Sequence, residues 1–189
     1  LRGAGREVHV TRQPSGHPIG KFVRDVLTDR VKLASSPEGD LMALLFAADR
    51  VDHLRGEILP ALARGEVVLS DRYDLSSLAY QSVASSSTLP AHELVAWIRA
   101  LNRFARRPDA TVVLEVSAEV AKQRRKARGQ QEDLYEKDAL QLRLARAYGH
   151  AEALVPGDRV LYVKGEGDVS TVARLVREAL APIVEKKRS

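Results

Sequence analysis

Short runs of β-branched and aliphatic residues alternate along this chain with longer stretches in which apolar positions recur every three or four residues. Four of the short runs read as strands: Val8 to Thr11, Val67 to Asp71, Ala110 to Val116 and Val160 to Val163. Val67-Val68-Leu69, Val112-Val113-Leu114 and Val160-Leu161-Tyr162-Val163 are almost continuously apolar. That is the pattern of strands buried on both faces, as parallel sheets are. The intervening segments are too long for hairpins, so strand–helix–strand alternation predicts a doubly wound α/β domain.

Helix ends follow from the residues that flank each periodic stretch. Ile19 to Thr28 comes after the turn-rich Pro14-Ser15-Gly16-His17-Pro18. Asp40 suits an N-cap for a long helix from Leu41 to about Arg64, interrupted near Gly56 or Pro60 and stopped by Gly65. Pro90 suits the first helical position before Ala91 to Ala105. Ser117 caps Ala118 to Arg128, with Glu119 facing the positive end of the helix dipole. Further helices are expected from about Glu136 to Leu154 and, capped by Asp168, from Val169 to about Val184. Ser82 to Thr88 and Gly129 to Asp133 read as exposed loops. No internal repeat or long linker divides the chain, so residues 1–189 are expected to form one domain.

Composition narrows the function classes. The 189 residues are 44% hydrophobic and 29% charged, enough for a sizeable core. No stretch of apolar residues is long enough to cross a membrane as a helix, and no signal-like run is present. The absence of cysteine excludes a disulfide framework, a thiolate metal site and a cysteine nucleophile within this sequence. The net charge of +5 suits an anionic ligand. It is too dispersed, and aromatic residues at 5% are too few, for a nucleic-acid platform. The default expectation is a cytoplasmic protein that binds neither nucleic acid nor membrane. The basic tail Lys186-Lys187-Arg188 reads as a solvated end.

The residues with the clearest chemistry are Ser70-Asp71-Arg72-Tyr73, at the end of a strand. Ligands of open α/β sheets bind beyond the carboxyl ends of strands. There a carboxylate can hold hydrated Mg²⁺ while a guanidinium forks onto phosphoryl oxygens, although a plain strand-end ion pair is the other reading. In Leu45-Phe46-Ala47-Ala48-Asp49-Arg50, Phe46 and Arg50 share a helix face. A flat ring beside an Arg donor can stack a base and hydrogen-bond its carbonyl; core packing and a solvated charge are the alternatives. Ser76-Ser77-Leu78-Ala79-Tyr80-Gln81 opens a helix near the same strand end and offers further donors.

These segments jointly resemble the thymidylate kinases, of the nucleoside monophosphate kinase branch of P-loop proteins. Thr11-Arg12-Gln13-Pro14-Ser15-Gly16 is similar to the family's TREPGG motif, and Leu45 to Arg50 to its LFAADR helix. Ser70 to Tyr73 followed by Ser76 to Gln81 resembles SDRY…SSLAYQ, and Pro108-Asp109 fits ahead of the third strand. Arg124, Arg128, Asp133, Tyr135 and Glu136 have the spacing of the family's lid, here at about 124–136. The likeness runs from Arg6 to Ala181.

The resemblance implies a three-layer α/β/α P-loop kinase fold with a parallel sheet in the order 2-3-1-4-5. It implies transfer of a phosphoryl group from ATP to dTMP with Mg²⁺, by a protein that is usually a homodimer held through helices such as Leu41 to Arg64. In that frame Phe46 would stack on thymine and Arg50 would donate to a base carbonyl. Arg72 would clamp the acceptor phosphate with Arg12 near it, and Asp71 would serve Mg²⁺ directly or through water. Ser77, Tyr80 and Gln81 would line the nucleoside pocket. Arg124 would lie against adenine, Arg128 would reach the transferring phosphoryl, and Tyr135 and Glu136 would close over the sugar. Phosphoryl transfer asks mainly for positioning and charge neutralisation, which arginines and a metal supply.

The sequence also departs from the family. Gln13 replaces the usual Glu, Ser15 a usual Gly, and Leu134 an Arg common after the lid Asp. The phosphate-cradling G-x-x-x-x-G-K-[ST] is not in this sequence; Gly16 to Phe22 falls one residue short and carries a Pro, so it reads as the turn into a helix. Gly165-Glu166-Gly167 is too short for a dinucleotide fingerprint, although the family's adenine lies near that loop. The expectation is that roughly 20 to 25 residues with the P-loop and first strand precede Leu1. Without a central strand the sheet would divide into two half-sheets with unpaired inner edges. The alternatives are a nucleotide-binding paralogue without kinase activity and a kinase for another deoxynucleotide. His9, His17, His53, His92 and His150 are scattered and read as surface or packing residues.

Overall fold

The protein is described here from a computed structural model covering residues 5–34, 39–84, 89–128 and 138–186. These fall into two units, Leu1–Arg106 with Glu132–Leu140 and Arg107–Gln131 with Gln141–Ser189. In the first, β1 (Val8–Arg12) and β2 (Val67–Asp71) pair in parallel, with Val8 opposite Val67 and Arg12 opposite Asp71. In the second, β3 (Thr111–Glu115) and β4 (Val160–Lys164) pair in parallel, from Thr111 opposite Val160 to Glu115 opposite Lys164. Each parallel partner is reached through helical crossovers, as such pairing requires. The described strands therefore form two two-stranded sheets, whose pairs match positions 2-3 and 4-5 of the expected order.

The strands differ from expectation in burial. Val10 is 65% exposed and Leu114 49%, so a face of each sheet carries apolar side chains that nothing in its own unit covers. Continuous apolar sequence records what a strand can bury, and the neighbours decide what it does bury.

In the first unit, α1 (Pro18–Leu27) starts on a proline that needs no N–H donor there. It turns Ile19, Val23, Val26 and Leu27 onto one face, where Val23 and Val26 join Met42 in a buried cluster. α2 (Gly39–His53) packs against α1, and against α4 (Asp74–Ala84) and α5 (Ala91–Leu101). Burial on several sides explains why its apolar residues occupy no single stripe. Asp40 lies in its first turn rather than at the cap. The expected interruption is a π-helical turn at Leu54–Ile58, followed by α3 (Leu59–Ala63) and Gly65 at φ +80°. Pro60 cannot donate to the carbonyl one turn back and its ring crowds that carbonyl, so the helix widens just before it. α5 ends at Leu101, four residues before the expected Ala105, because the Asn102 side chain donates to the Ile98 carbonyl at 2.8 Å.

In the second unit, α6 (Ala118–Arg128) and α9 (Val169–Lys186) start where Ser117 and Asp168 predict. Asp168 Oδ1 accepts from the Thr171 N–H at 2.8 Å. The expected helix to Leu154 is two pieces, α7 (Asp138–Tyr148) and α8 (Ala151–Leu154), separated at Gly149-His150. The last turn of the Ser82-to-Thr88 stretch that is described, Ser82 to Ala84, is helical, while Gly129 to Asp133 lies outside the described residues.

Candidate nucleotide site

Parallel register puts Arg12 and Asp71 side by side at the carboxyl ends of β1 and β2. The ladder continues one step further, with the Gln13 N–H donating to the Asp71 carbonyl at 3.0 Å. Asp71 and Arg72 are exposed there. Arg72 has φ +68°, a left-handed conformation uncommon for a residue with a side chain. Ser70 Oγ donates to the Arg72 carbonyl at 2.7 Å, holding that turn. The Arg72 guanidinium lies 4.9 Å from the centre of the Tyr80 ring, which keeps the cation beside the strand end.

The turn after β1 is fixed from three directions. Arg24 Nη2 donates to the Pro14 carbonyl at 2.8 Å. Ser15, fully buried, donates its N–H and its hydroxyl to the two oxygens of buried Asp49, at 3.0 and 2.6 Å. Gly20 permits this closeness: a Cβ there would meet the Ser15 backbone and come within 2.6 Å of its Oγ. Gly16 to Lys21 is thus the turn into α1, with the Lys21 N–H bonded to the His17 carbonyl at 2.9 Å.

Arg50 is only 1% exposed, so it is no solvated charge. Its Nε donates to Gln13 Oε1 at 3.0 Å, Nη2 to Ser77 Oγ at 2.9 Å, and Nη1 to Asn102 Oδ1. The guanidinium carbon sits 5.4 Å from the Tyr73 ring centre. Phe46, one turn earlier on α2, is half-buried against the cluster of Val23, Val26 and Met42. Ser77 and Gln81 are buried on α4 and Tyr80 is half-buried. The structure thus brings Arg12, Asp71, Arg72 and Tyr80 together at the strand ends, and joins Arg50 to Ser77 beneath them.

The histidines are not all scattered, although His92 and His150 are exposed. Three of them converge on Glu57, which the π-helical turn presents toward β1: His9 Nε2 at 2.8 Å, His17 Nε2 at 3.1 Å and His53 Nε2 at 3.4 Å. Burial pulls the Glu57 carboxyl up, but hydrogen bonds from Thr11, His9 and His17 outweigh it and hold the group down at about 2. His53 is fully buried, and that burial, against the pull of Glu57 and Asp49, keeps its pKa below the ordinary 6.5. His53 also bonds Thr11 Oγ1 through Nε2 at 2.7 Å and Gln13 Nε2 through Nδ1 at 3.3 Å. Sequence reasoning missed Gln13, Asp49, His53, Glu57 and Asn102 as members of this network. A signal existed: Asp49, His53 and Glu57 recur every four residues, one face of one helix.

In the second unit Arg124 donates from Nη1 to the Gly165 carbonyl at 2.8 Å and from Nη2 to the Gly167 carbonyl at 3.0 Å. Glu166 accepts from the Ser117 N–H at 2.9 Å, and that backbone bond draws its carboxyl down. The loop after β4 is thereby tied to α6. Arg128 ends α6, but its side chain, like Tyr135 and Glu136 altogether, lies outside the described residues. Among the described residues no trio of His, Asp and Glu has the geometry to hold a metal, and no helix is long and apolar enough to cross a membrane.

Comparison with known proteins gives a consistent likeness. A family model described as thymidylate kinase matches residues 1–181. The chain is 35% identical to a thymidylate kinase of Citrifermentans bemidjiense over 95% of its length and 80% of that protein's. It is 35% identical to one from Nitrosospira multiformis, over 97% and 86% of the two chains. With a thymidylate kinase of Thermomicrobium roseum the identity is 34%, covering all of this chain and 87% of the relative.

Proposed function

As the chain belongs to the thymidylate kinase family, with the P-loop α/β fold and the ATP-dependent phosphorylation of dTMP to dTDP that this entails, we propose that the acceptor nucleotide is held at the ends of β1 and β2. The observation that carries this placement is the register pairing Arg12 with Asp71, with Arg72 adjoining. Arg72 and Arg12 clamp the dTMP phosphate, and Tyr80 steadies Arg72 from beneath while crowding the sugar. Phe46 stacks on thymine from the rim of its cluster, and Arg50, Ser77 and Gln81 form the polar wall facing the base.

Asp71 fits a hydrated Mg²⁺. It is an exposed carboxylate at a strand end, and among the described residues no group of three His, Asp or Glu could hold a metal. Mg²⁺ typically keeps several waters and takes the rest of its ligands from substrate phosphates. When bound, the ion neutralises phosphate charge; Arg12 and Arg72 orient the acceptor oxygen and spread the charge that develops on its phosphate. Arg124, with the Gly165 and Gly167 carbonyls, supports adenine, while Arg128, Tyr135 and Glu136 belong to a lid at about 124–136. The family model runs through both units without a break, which supports residues 1–189 as one domain. Exposed Leu44 on α2 and Leu59 on α3 support a homodimer through that stretch, and a cytoplasmic location suits the reaction.

The test is steady-state kinetics with dTMP and Mg-ATP. Arg72→Ala should lower kcat/KM for dTMP by on the order of 2–4 kcal/mol while moving the KM for ATP far less. An unchanged rate removes Arg72 from the site. Competition among dTMP, dUMP, dCMP and dGMP sets the base preference.

A further inference from the structure

Resting on the placement of Arg50 in the acceptor site, we propose that Gln13 is a positioning residue that makes the grip on dTMP depend on a neutral His53. Hydrogen-bond direction along the buried chain carries the inference. Arg50 Nε–H can only donate, so the Gln13 atom facing it at 3.0 Å is the acceptor Oε1. The amide nitrogen of Gln13 then faces His53 Nδ1 at 3.3 Å and donates to it. An imidazole nitrogen that accepts carries no proton, so the His53 proton is on Nε2. From there it points to Thr11 Oγ1 at 2.7 Å, and the Thr11 hydroxyl in turn donates to Glu57. Along Arg50–Gln13–His53–Thr11–Glu57 the donor at one end thus sets the direction of each bond that follows.

Protonating His53 at Nδ1 breaks that arrangement. The new N–H meets the N–H of the Gln13 amide. If the amide turns over to accept it, its nitrogen then faces Arg50 Nε–H. A neutral amide has one acceptor end and cannot serve two donors on opposite sides. Gln13 and His53 are buried, so water does not relieve the conflict cheaply. Arg50 loses one of its fixings, and the side chain facing the base is held less firmly.

The charged and titratable groups acting on His53 come from each neighbouring segment. Asp49 stands one turn back on α2, Glu57 on the π-helical turn, and His17, with its ring centre 5.8 Å away, before α1. Behind them His9 holds Glu57 and Asp52 faces His17 at 3.5 Å. Burial of His53 outweighs the acidic neighbours, which agrees with a neutral ring at ordinary pH. A carboxylate at position 13 would behave differently, because it accepts from both sides at once. Gln13→Glu should therefore tolerate a protonated His53 and uncouple Arg50 from it.

The experiment measures KM for dTMP and for ATP between about pH 5 and 8 in the full protein and in Gln13→Glu. Taking the ratio of the two proteins' KM for dTMP cancels the titration of the nucleotide phosphate itself. That ratio should rise as pH falls below the ordinary histidine range, approaching tenfold per pH unit, while the ratio for ATP stays level. A flat dTMP ratio with dTMP still turned over overturns the proposal and leaves the kinase function intact. Loss of dTMP turnover in the unmodified protein would instead strike at the function. A second measurement needs no variant: by linkage, saturating dTMP should lower the His53 pKa read from its ring proton in NMR. An unmoved His53 titration overturns the proposal as well.

Discussion

At the scale of single residues, Arg72 combines two properties that oppose each other. Its side chain lies over Tyr80 at the strand end, yet its backbone takes φ +68°, a conformation that costs an L-residue roughly 1–2 kcal/mol. Glycine carries no such penalty. Arg72→Gly should therefore melt higher than Arg72→Ala, by roughly 1 kcal/mol of stability, although both lose the cation. Equal melting temperatures would show that the turn adjusts its backbone when the side chain is cut away. The strand-end position of Asp71-Arg72 was legible in the sequence, because a charged pair closing an apolar run marks a strand end. The backbone strain was not, since nothing in the letters Ser-Asp-Arg-Tyr demands a positive φ.

At the scale of elements, the contact between α1 and the turn before it depends on the missing side chain of Gly20. A methyl group there must displace the Ser15 backbone, and with it the two bonds to Asp49. Gly20→Ala should cost about 2 kcal/mol, read by urea denaturation. Asp49→Ala strands the buried Ser15 donors and should cost about 3 kcal/mol. Helix starts were readable where a proline or a capping side chain announces them, at Pro18, Ser117 and Asp168, and to within a residue or two at Asp40 and at Pro90, which caps α5 instead of opening it. The interruption of the long helix was readable too, because Pro60 lacks a donor wherever it stands. The end of α5 was hidden, since it is set by an Asn102 side chain turning back on its own helix. Burial of the strands was half-legible: their apolar content is in the sequence, but exposure of Val10 and Leu114 depends on what lies against them.

At the scale of the whole molecule, the cluster around Glu57 links folding to pH. His53 titrates below its unfolded value of 6.5, so the unfolded chain takes up the proton first. Its contribution to stability is complete above 6.5 and declines as pH falls from there through the folded value. Glu57 is held at about 2 against an unfolded 4.5, so its contribution is complete above 4.5 and is lost toward 2. Denaturant midpoints at about pH 8, 6 and 4 should therefore fall in that order. A midpoint that holds steady down to pH 4 would mean that neither group is coupled to folding. The local motifs pointed to the residues at the ends of β1 and β2, but they could not show that residues 13, 50, 53 and 57 form one relay, because partners separated by a strand and a helix leave no common string.

One bond beyond the ends of β1 and β2 reports on all of this. The Gln13 amide, bound to the Asp71 carbonyl just beyond the last paired residues of β1 and β2, belongs to a segment pinned by Arg24, Asp49 and Arg50. Its hydrogen should trade for deuterium far more slowly than a strand-end position ordinarily does. Any substitution or acid treatment that loosens the relay should speed that one exchange before the rest of the sheet responds.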